Sequence, residues 1–391
     1  MLSSKHKSQS EELFSNYLPE DVLIEILVRI PPKSLIKFRC VSKSWNLLIS
    51  SPYFISMHTQ SFTNPSNRLM ISRYSKIHNR EIYSVHLNNE DCSVDENIKI
   101  EFPFGHSLPW YYRIIGSCNG VLCLTSDTFQ RTNPIFLWNP AIRRKVELPV
   151  PQATFGSMGR DEFVLGFGFD VKNNDFKVVR IAYGRGDQYQ VPHKVEIYEL
   201  SVGKWREIDG QVPLNCVVEV FYTQVFLNEI VHWTAIKRSR RSLLKILIMG
   251  FSMTNEVFEE MPLPDALANA WKFNLNTAVY EESLAVLQYD RQHKSCCIWV
   301  MKEYGFPESW SKQFYVRLDQ GFTMVLGFRK NGDVLLDGRE GKLISYNPGA
   351  AASVHLGIHG MPFSFYIHTY VESLALLIEG KQAHAPKQQL Q

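Results

Sequence analysis

Between residues 135 and 346 five short apolar strands recur at nearly even intervals, and this recurrence restricts the fold more than any other feature of the chain. They are Ile135-Phe136-Leu137-Trp138, Val195-Glu196-Ile197-Tyr198, Ile246-Leu247-Ile248-Met249, Cys297-Ile298-Trp299-Val300 and Leu343-Ile344-Ser345-Tyr346. With Leu137, Ile197, Ile248, Ile298 and Ile344 as markers, the steps are 60, 51, 50 and 46 residues. A period near 50 is that of a propeller blade, a small sheet that buries its apolar faces only against its neighbours. Further apolar strands fill the intervals, at 121–124, 164–169, 178–183, 225–233, 278–289, 324–328 and 334–336. The predicted closure joins both ends of the chain in one blade, residues 365–377 beside Leu69-Met70-Ile71 and Ile82-Tyr83-Ser84-Val85. Such a closure removes an exposed sheet edge. The pattern gives about six blades, and a pair of packed sheets would read similarly.

Composition fits a folded protein. At roughly 150 residues per domain, 391 residues make one large domain and a small one. Aromatic residues are abundant, 24 Phe, 17 Tyr and 8 Trp, which suits sheet packing better than a helical bundle. A net charge of +3 is far from the concentrated basic stripe that nucleic acid requires, so no nucleic-acid partner is expected. No apolar run reaches the length needed to span a bilayer and the N-terminus has no secretory h-region. Asn64-Pro65-Ser66 is closed to glycosylation by its proline. The seven cysteines, Cys40, Cys92, Cys118, Cys123, Cys216, Cys296 and Cys297, are odd in number and scattered, and read as reduced. Together these readings predict a cytoplasmic and/or nuclear protein without membrane contact.

Residues 1–12 and 380–391 are polar and aperiodic and read as disordered tails, leaving a helical unit at 13–60 and a β-rich domain at 61–379. In the helical unit, Pro19, Glu20 and Asp21 open a helix whose Val22, Leu23, Ile26, Leu27 and Ile30 recur at spacings of three and four. Pro31-Pro32 ends it. A short helix over 33–40 follows, then one capped by Ser42 with Trp45, Leu48 and Ile49 on its apolar stripe, then one opened by Pro52. Four helices in about 40 residues lie near the lower size limit for an independent core. Their apolar excess points either to a partner protein or to a helical cap on the larger domain.

The spaced run Leu18, Pro19, Val22, Ile26, Leu27, Ile30, Pro31, Leu35, Phe38, Cys40, Val41 and Trp45 resembles an F-box. That module docks substrate receptors on the Skp adaptor of cullin-RING ubiquitin ligases, and the resemblance implies that these residues make the adaptor contact. The remainder resembles the plant F-box associated, kelch-like domain, in Ser117-Cys118-Asn119-Gly120, Trp138-Asn139-Pro140, Phe167-Gly168-Phe169-Asp170 before Asp175-Phe176-Lys177-Val178-Val179, and 195–205. In Asn228-Glu229 the chain has Glu229 where that family usually places glycine in a hairpin turn; Asn228 tolerates the left-handed conformation the turn needs. The likeness extends to S-locus F-box and S-locus-like receptors, which would make a style ribonuclease the target and self-incompatibility the setting.

Several patterns imitate chemistry. Gly116-x-Cys118-x-Gly120 spells a nucleophile elbow, but a strand rather than a helix follows it. Cys118 with Cys123, Cys296 with Cys297, and His355 with His359 each lack the second half of a zinc site. Arg185-Gly186-Asp187 reads as a turn, and Gly166-x-Gly168 has no third glycine. No catalytic residue, metal or cofactor is expected.

The expectation is therefore an α+β, mostly β protein: a helical F-box followed by a β-propeller-like domain of about six blades. Its function is that of a non-catalytic receptor linking an adaptor, and through it cullin and RING subunits, to a target protein. The rival readings are a scaffold with a propeller binding surface and a propeller enzyme with its site at the central channel. The residues expected to meet the target are Trp110, Tyr111 and Tyr112, Arg185 and Tyr189 in the 184–191 segment, Arg238, Arg240 and Arg241 in the basic 237–241 segment, and Trp271. Aromatic and Arg side chains are the usual interface anchors.

Overall fold

The five marker strands are the third strands of antiparallel blades, and the alternation of their side chains explains why. In Ile135–Asn139, Trp138 packs with Tyr83, Val85 and Leu122 on one side while Leu137 packs with Cys123, Phe167 and Val178 on the other. A strand with both faces buried must be apolar throughout. The structure is a computed structural model that describes residues 18–377 apart from 63–67, 90, 96–97, 99, 101–102, 104–111, 127–132, 153–161, 185–192, 209–211, 214, 219–223, 239–243 and 272–273. Both expected tails lie outside the described residues.

The strands run in chain order around a ring. β1 (Arg68–Ser75) and β2 (Arg80–Leu87) begin the first blade. β3–β6 (Tyr112–Cys118, Val121–Ser126, Ile135–Asn139, Arg144–Glu147) form the second, and β7–β10 (Glu162–Asp170, Asp175–Tyr183, His193–Glu199, Lys204–Ile208) the third. β11–β15 (Cys216–Val218, Val225–Leu227, Ile230–Arg238, Leu244–Ser252, Phe258–Pro262) form the fourth. β16–β19 (Leu275–Tyr280, Ser283–Asp290, Ser295–Met301, Trp310–Arg317) make the fifth and β20–β23 (Phe322–Phe328, Val334–Gly338, Lys342–Asn347, Ala352–His359) the sixth. β24 (Tyr366–Thr369) returns to pair antiparallel with β1, Met70 opposite His368. The closure expected from the sequence is therefore formed, and the fold is a six-bladed β-propeller.

Six apolar layers between blades close the circle. Trp233 and Met249 meet Val179 and Ile197, Met261 and Ile248 meet Val286 and Trp299, and Leu287 and Ile298 meet Leu336 and Ile344. The last layer joins Leu335 and Leu343 of the sixth blade to Leu69 and Ile71 of the first. In the sequence the marker strands end their units; in the structure a fourth strand follows each. These outer strands, such as β6 and β10, are largely solvent-exposed and so carry too few apolar residues to announce themselves.

The Asn228-Glu229 turn survives with both residues left-handed, φ 52° and 63°. Thr254 Oγ1 donates to Glu229 Oε2 at 2.6 Å, tying the charged tip to the next turn of the same blade.

One charge network pins the third blade to the fourth. Lys177, fully buried, bonds to Asp170 Oδ2 at 2.6 Å and Glu256 Oε1 at 2.8 Å and donates to Met253 O at 3.0 Å. Arg206 bridges Glu199 and Glu256. Burial pulls the Lys177 ammonium down, yet the bonds to Asp170 and Glu256 outweigh it and the net shift is upward. For Asp170 and Glu256 burial pushes up but the cations win, leaving both carboxyls below their ordinary values. Depressed carboxyls stabilise the fold above the ordinary carboxylate range and lose that contribution as pH falls through their folded values. The Lys177 contribution is full below the ordinary lysine range and is lost only as pH rises through its folded value. Lys177→Met should cost about 3–5 kcal/mol near neutral pH, since it strands a buried carboxylate. The deficit should narrow as Asp170 and Glu256 protonate below about pH 4; denaturant melts of both proteins across pH check this.

Candidate functional site

The helices form as their caps dictate. α1 (Glu20–Leu27) starts behind Pro19, with Glu20 and Asp21 in its first turn against the positive end of the helix dipole. α2 (Pro32–Phe38) is shorter than the 33–40 reading and has its own proline at the first position. α3 (Lys43–Ile49) is capped by Ser42, whose Oγ accepts from the Trp45 N–H at 3.1 Å. α4 spans Pro52–Phe62, and Ser51 Oγ accepts from the Phe54 N–H at 3.1 Å. His58 of α4 is buried against Ile30 O at 3.0 Å, and burial lowers its pKa.

The helical unit turns two apolar faces in different directions. Ile24, Leu27, Val28, Leu35, Ile49 and Phe54 are buried in its own core, with Phe38 edge-on to Trp45 at 5.7 Å. Leu374 and Leu377, which follow the closing strand β24, fill the same core, and Ile142 of the β5–β6 turn packs beside them. Leu18, Val22 and Ile26 stand 49%, 40% and 47% exposed; Val22 and Ile26, four residues apart, share one stripe of α1. Pro19, Pro31, Cys40 and Val41 are exposed as well. The twelve residues of the F-box pattern thus divide. Leu27 and Leu35 lie inside the chain, Ile30, Phe38 and Trp45 are half-buried, and the rest present a surface. Ile26, about half exposed, and Leu27, fully buried, are neighbours on α1 that face opposite ways. Leu47 and Tyr53, 72% and 65% exposed, extend the apolar surface and were not singled out by spacing.

One buried amide holds the segment after β24 that packs against the helices. Asn139, the last residue of β5, donates from Nδ2 to Ser373 O (3.0 Å), Ser373 Oγ (3.2 Å) and Ala375 O (2.8 Å). Its Oδ1 accepts from the Ala141 N–H at 3.0 Å. Gly120, left-handed in the β3–β4 turn, lets Val371 O and Ser373 Oγ approach to where a Cβ would lie 2.7 Å away. A cleft of about 550 Å³ runs along the seam between Ile36 and Arg39 of the helices and Ile142 and Arg144 of the second blade. Across that seam the helical core takes in Leu374, Leu377 and Ile142 of the propeller.

The imitated chemistries resolve into structure. Cys118 ends β3 in a hairpin, buried, and burial pushes its thiol up to about 12. Cys296 and Cys297 alternate into two different inter-blade layers. All seven cysteines are free thiols, and among the described residues no three His, Cys, Asp or Glu side chains converge as a metal site would require.

Of the residues expected to meet a target, Trp110, Tyr111, Arg185, Tyr189, Arg240 and Arg241 lie outside the described residues. Tyr112 is half-buried at the start of β3, where its N–H donates to Glu81 Oε1 at 2.5 Å. Burial raises the Glu81 carboxyl to about 7. Arg238 ends β13, and its N–H donates to Asn215 O at 2.9 Å. Trp271, on the connection into β16, is 66% exposed.

The architecture is a small helical unit seated on a closed six-bladed propeller. The model of the F-box domain matches residues 16–57, and that of the F-box associated beta propeller domain matches residues 69–376. The chain belongs to the F-box associated beta propeller family and carries an F-box domain ahead of the propeller. It is similar to the F-box protein CPR1 of Arabidopsis thaliana, 26% identical with 93% of this chain and 90% of that one covered. It is also similar to the Arabidopsis thaliana F-box/kelch-repeat protein At3g23880, 29% identical with 86% and 90% covered. The Arabidopsis thaliana F-box protein At3g07870 is 27% identical, with 91% and 90% covered.

Asn139→Ala would leave the Ser373 and Ala375 carbonyls unpaired in the interior, at about 1–3 kcal/mol for each group stranded. Amide hydrogen exchange in α1 and α2 should rise although the substitution lies in the propeller, and a melting curve with exchange by mass spectrometry checks both effects.

Proposed function

We propose that the chain is the substrate-recognition subunit of an SCF-type ubiquitin ligase, docking on a Skp-type adaptor through its helices and holding a target protein on its propeller. The observation that carries this reading is the apolar surface of Leu18, Val22 and Ile26, left uncovered on a helical unit whose other face is already filled by Leu374 and Leu377. A helical cap that merely sealed the propeller would have no reason to keep three large aliphatics half in water. Burying what remains exposed of each contributes on the order of 1 kcal/mol, and Val41, Leu47 and Tyr53 add to it.

The chain takes no chemical part in transfer. It raises the local concentration of the target beside a ubiquitin-charged enzyme brought by the cullin and RING subunits, in the cytosol or nucleus. The self-incompatibility role implied by the S-locus likeness would make the target a style ribonuclease; this proposal extends to a protein target in general.

Co-purification with a Skp adaptor tests it. The wild type should retain the adaptor, while Leu18→Ala/Pro19→Ala and Val22→Asp/Ile26→Asp should lose it with unchanged melting temperature. Leu35→Ala, in the buried core, should instead lower stability by about 2–5 kcal/mol. A well-folded wild type that captures no adaptor overturns the receptor reading in favour of a free-standing scaffold.

A further inference from the structure

The seam between the helices and the second blade gathers charge of one sign. Two clefts adjoin there, of about 550 Å³ and about 290 Å³, and Ile36 of α2 and Ile142 of the β5–β6 turn line both. Small-molecule sites span roughly 300–1,000 Å³, so the larger cleft has the size of one and the smaller extends it. Arg39 from the helices and Arg144 from the propeller line the larger cleft, both half-buried, with Asn46 and Ser50 as its neutral polar groups. Among the described residues no acid lines it. Lys33, Lys37 and Arg143 line the smaller cleft, with Glu372 as its one acid among the described residues.

Local structure brings these cations together. Lys33 and Lys37 stand four residues apart in α2 and so share one side of the helix, and Arg39 is its C-cap. Across the seam the left-handed Arg143, φ 55°, ends the turn that Asn139 begins by accepting from the Ala141 N–H. Arg39 Nε donates to Asn46 Oδ1 at 2.8 Å, a bond that orients the guanidinium by one edge and leaves its terminal nitrogens directed elsewhere. Arg39, Lys33 and Lys37 form no ion pair among the described residues. Glu372 answers little of this charge: burial raises its carboxyl pKa, against the opposing pull of Arg68 and Lys33. Cations of one sign around a cleft with low-dielectric walls focus their field on whatever anion enters.

We infer that this seam is a binding site for a small oligophosphate, an anion of linked phosphate groups held between α2 and the β5–β6 turn. The planar fork of Arg matches phosphate oxygens bidentately, and Lys adds point charges. Five cations spread over two adjoining clefts suit several phosphate groups in a row better than one small anion. Because the contacts come from both units, an occupant favours the seated arrangement of the helices and stabilises it by mass action. The site shares no residue with the exposed stripe of Leu18, Val22 and Ile26, so it stands apart from the receptor reading.

The test uses the full chain and sodium tripolyphosphate, with affinity read by titration calorimetry and seating by amide hydrogen exchange. Tripolyphosphate should bind more tightly than inorganic phosphate and should slow exchange in α2 and the β5–β6 turn. Arg39→Ala/Arg144→Ala should weaken binding about tenfold or more, since it removes two charge-assisted contacts. Lys33→Ala/Lys37→Ala, at two exposed positions where packing is untouched, should weaken it about threefold or more. Lys172→Ala/Lys204→Ala, an equal loss of charge on turns of the third blade, should change affinity by less than about twofold. No binding by the wild type, equal loss from the control pair, the same slowing of exchange by sodium chloride at matched ionic strength, or tighter binding of an acidic peptide or single-stranded RNA of equal charge would each overturn the inference. Leu18→Ala/Pro19→Ala should bind tripolyphosphate as the wild type does, which separates this result from adaptor capture, and melting curves without ligand establish that each variant folds.

Discussion

The amide of Asn139 organises the molecule, because two otherwise separate cores depend on where it holds the chain after β24. The two N–H groups of one amide, shared among three acceptors on residues 373 and 375, make hydrogen bonds that are electrostatically stronger inside a protein than in water. They fix a segment that has left the sheet and would otherwise have no ladder to follow. Fixing it delivers Leu374 and Leu377 to the helices and Ala375 and Leu376 to the layer between the second and third blades. A unit of some 40 residues then borrows the apolar surface it lacks from a domain of some 300. The same arrangement explains why the helices need not cover their outer stripe: their core is completed from behind.

Closure of the ring and seating of the helices are thus one event. β24 pairs with β1 across almost the whole length of the sequence, and the residues that follow it carry the helical unit. Long-range pairing of this kind makes loop-closure entropy a large opposing term, and the layers between blades offset it collectively. The Lys177 network adds a polar lock at one of those layers. Its arrangement is costly to assemble and costlier to break on one side, which favours a single register between the third and fourth blades.

Much of this was legible in the residues. Strands with both faces buried, such as Ile135–Asn139, are apolar throughout and repeat at blade spacing, so the propeller, its closure and its approximate blade number could be read directly. Ser42, Pro19 and Pro31 announce the helices by rules of local geometry. Outer strands such as Lys204–Ile208 were invisible, because an exposed strand pays no sequence tax in apolar residues. The division of the F-box pattern into inward and outward members was also hidden: Leu27 and Ile26 are adjacent and equally apolar, and the packing of α1 against Leu35, Ile49, Phe54 and Leu374 decides which faces in. Asn139 was visible as part of a motif, yet its partners lie more than 230 residues away and no local pattern names them.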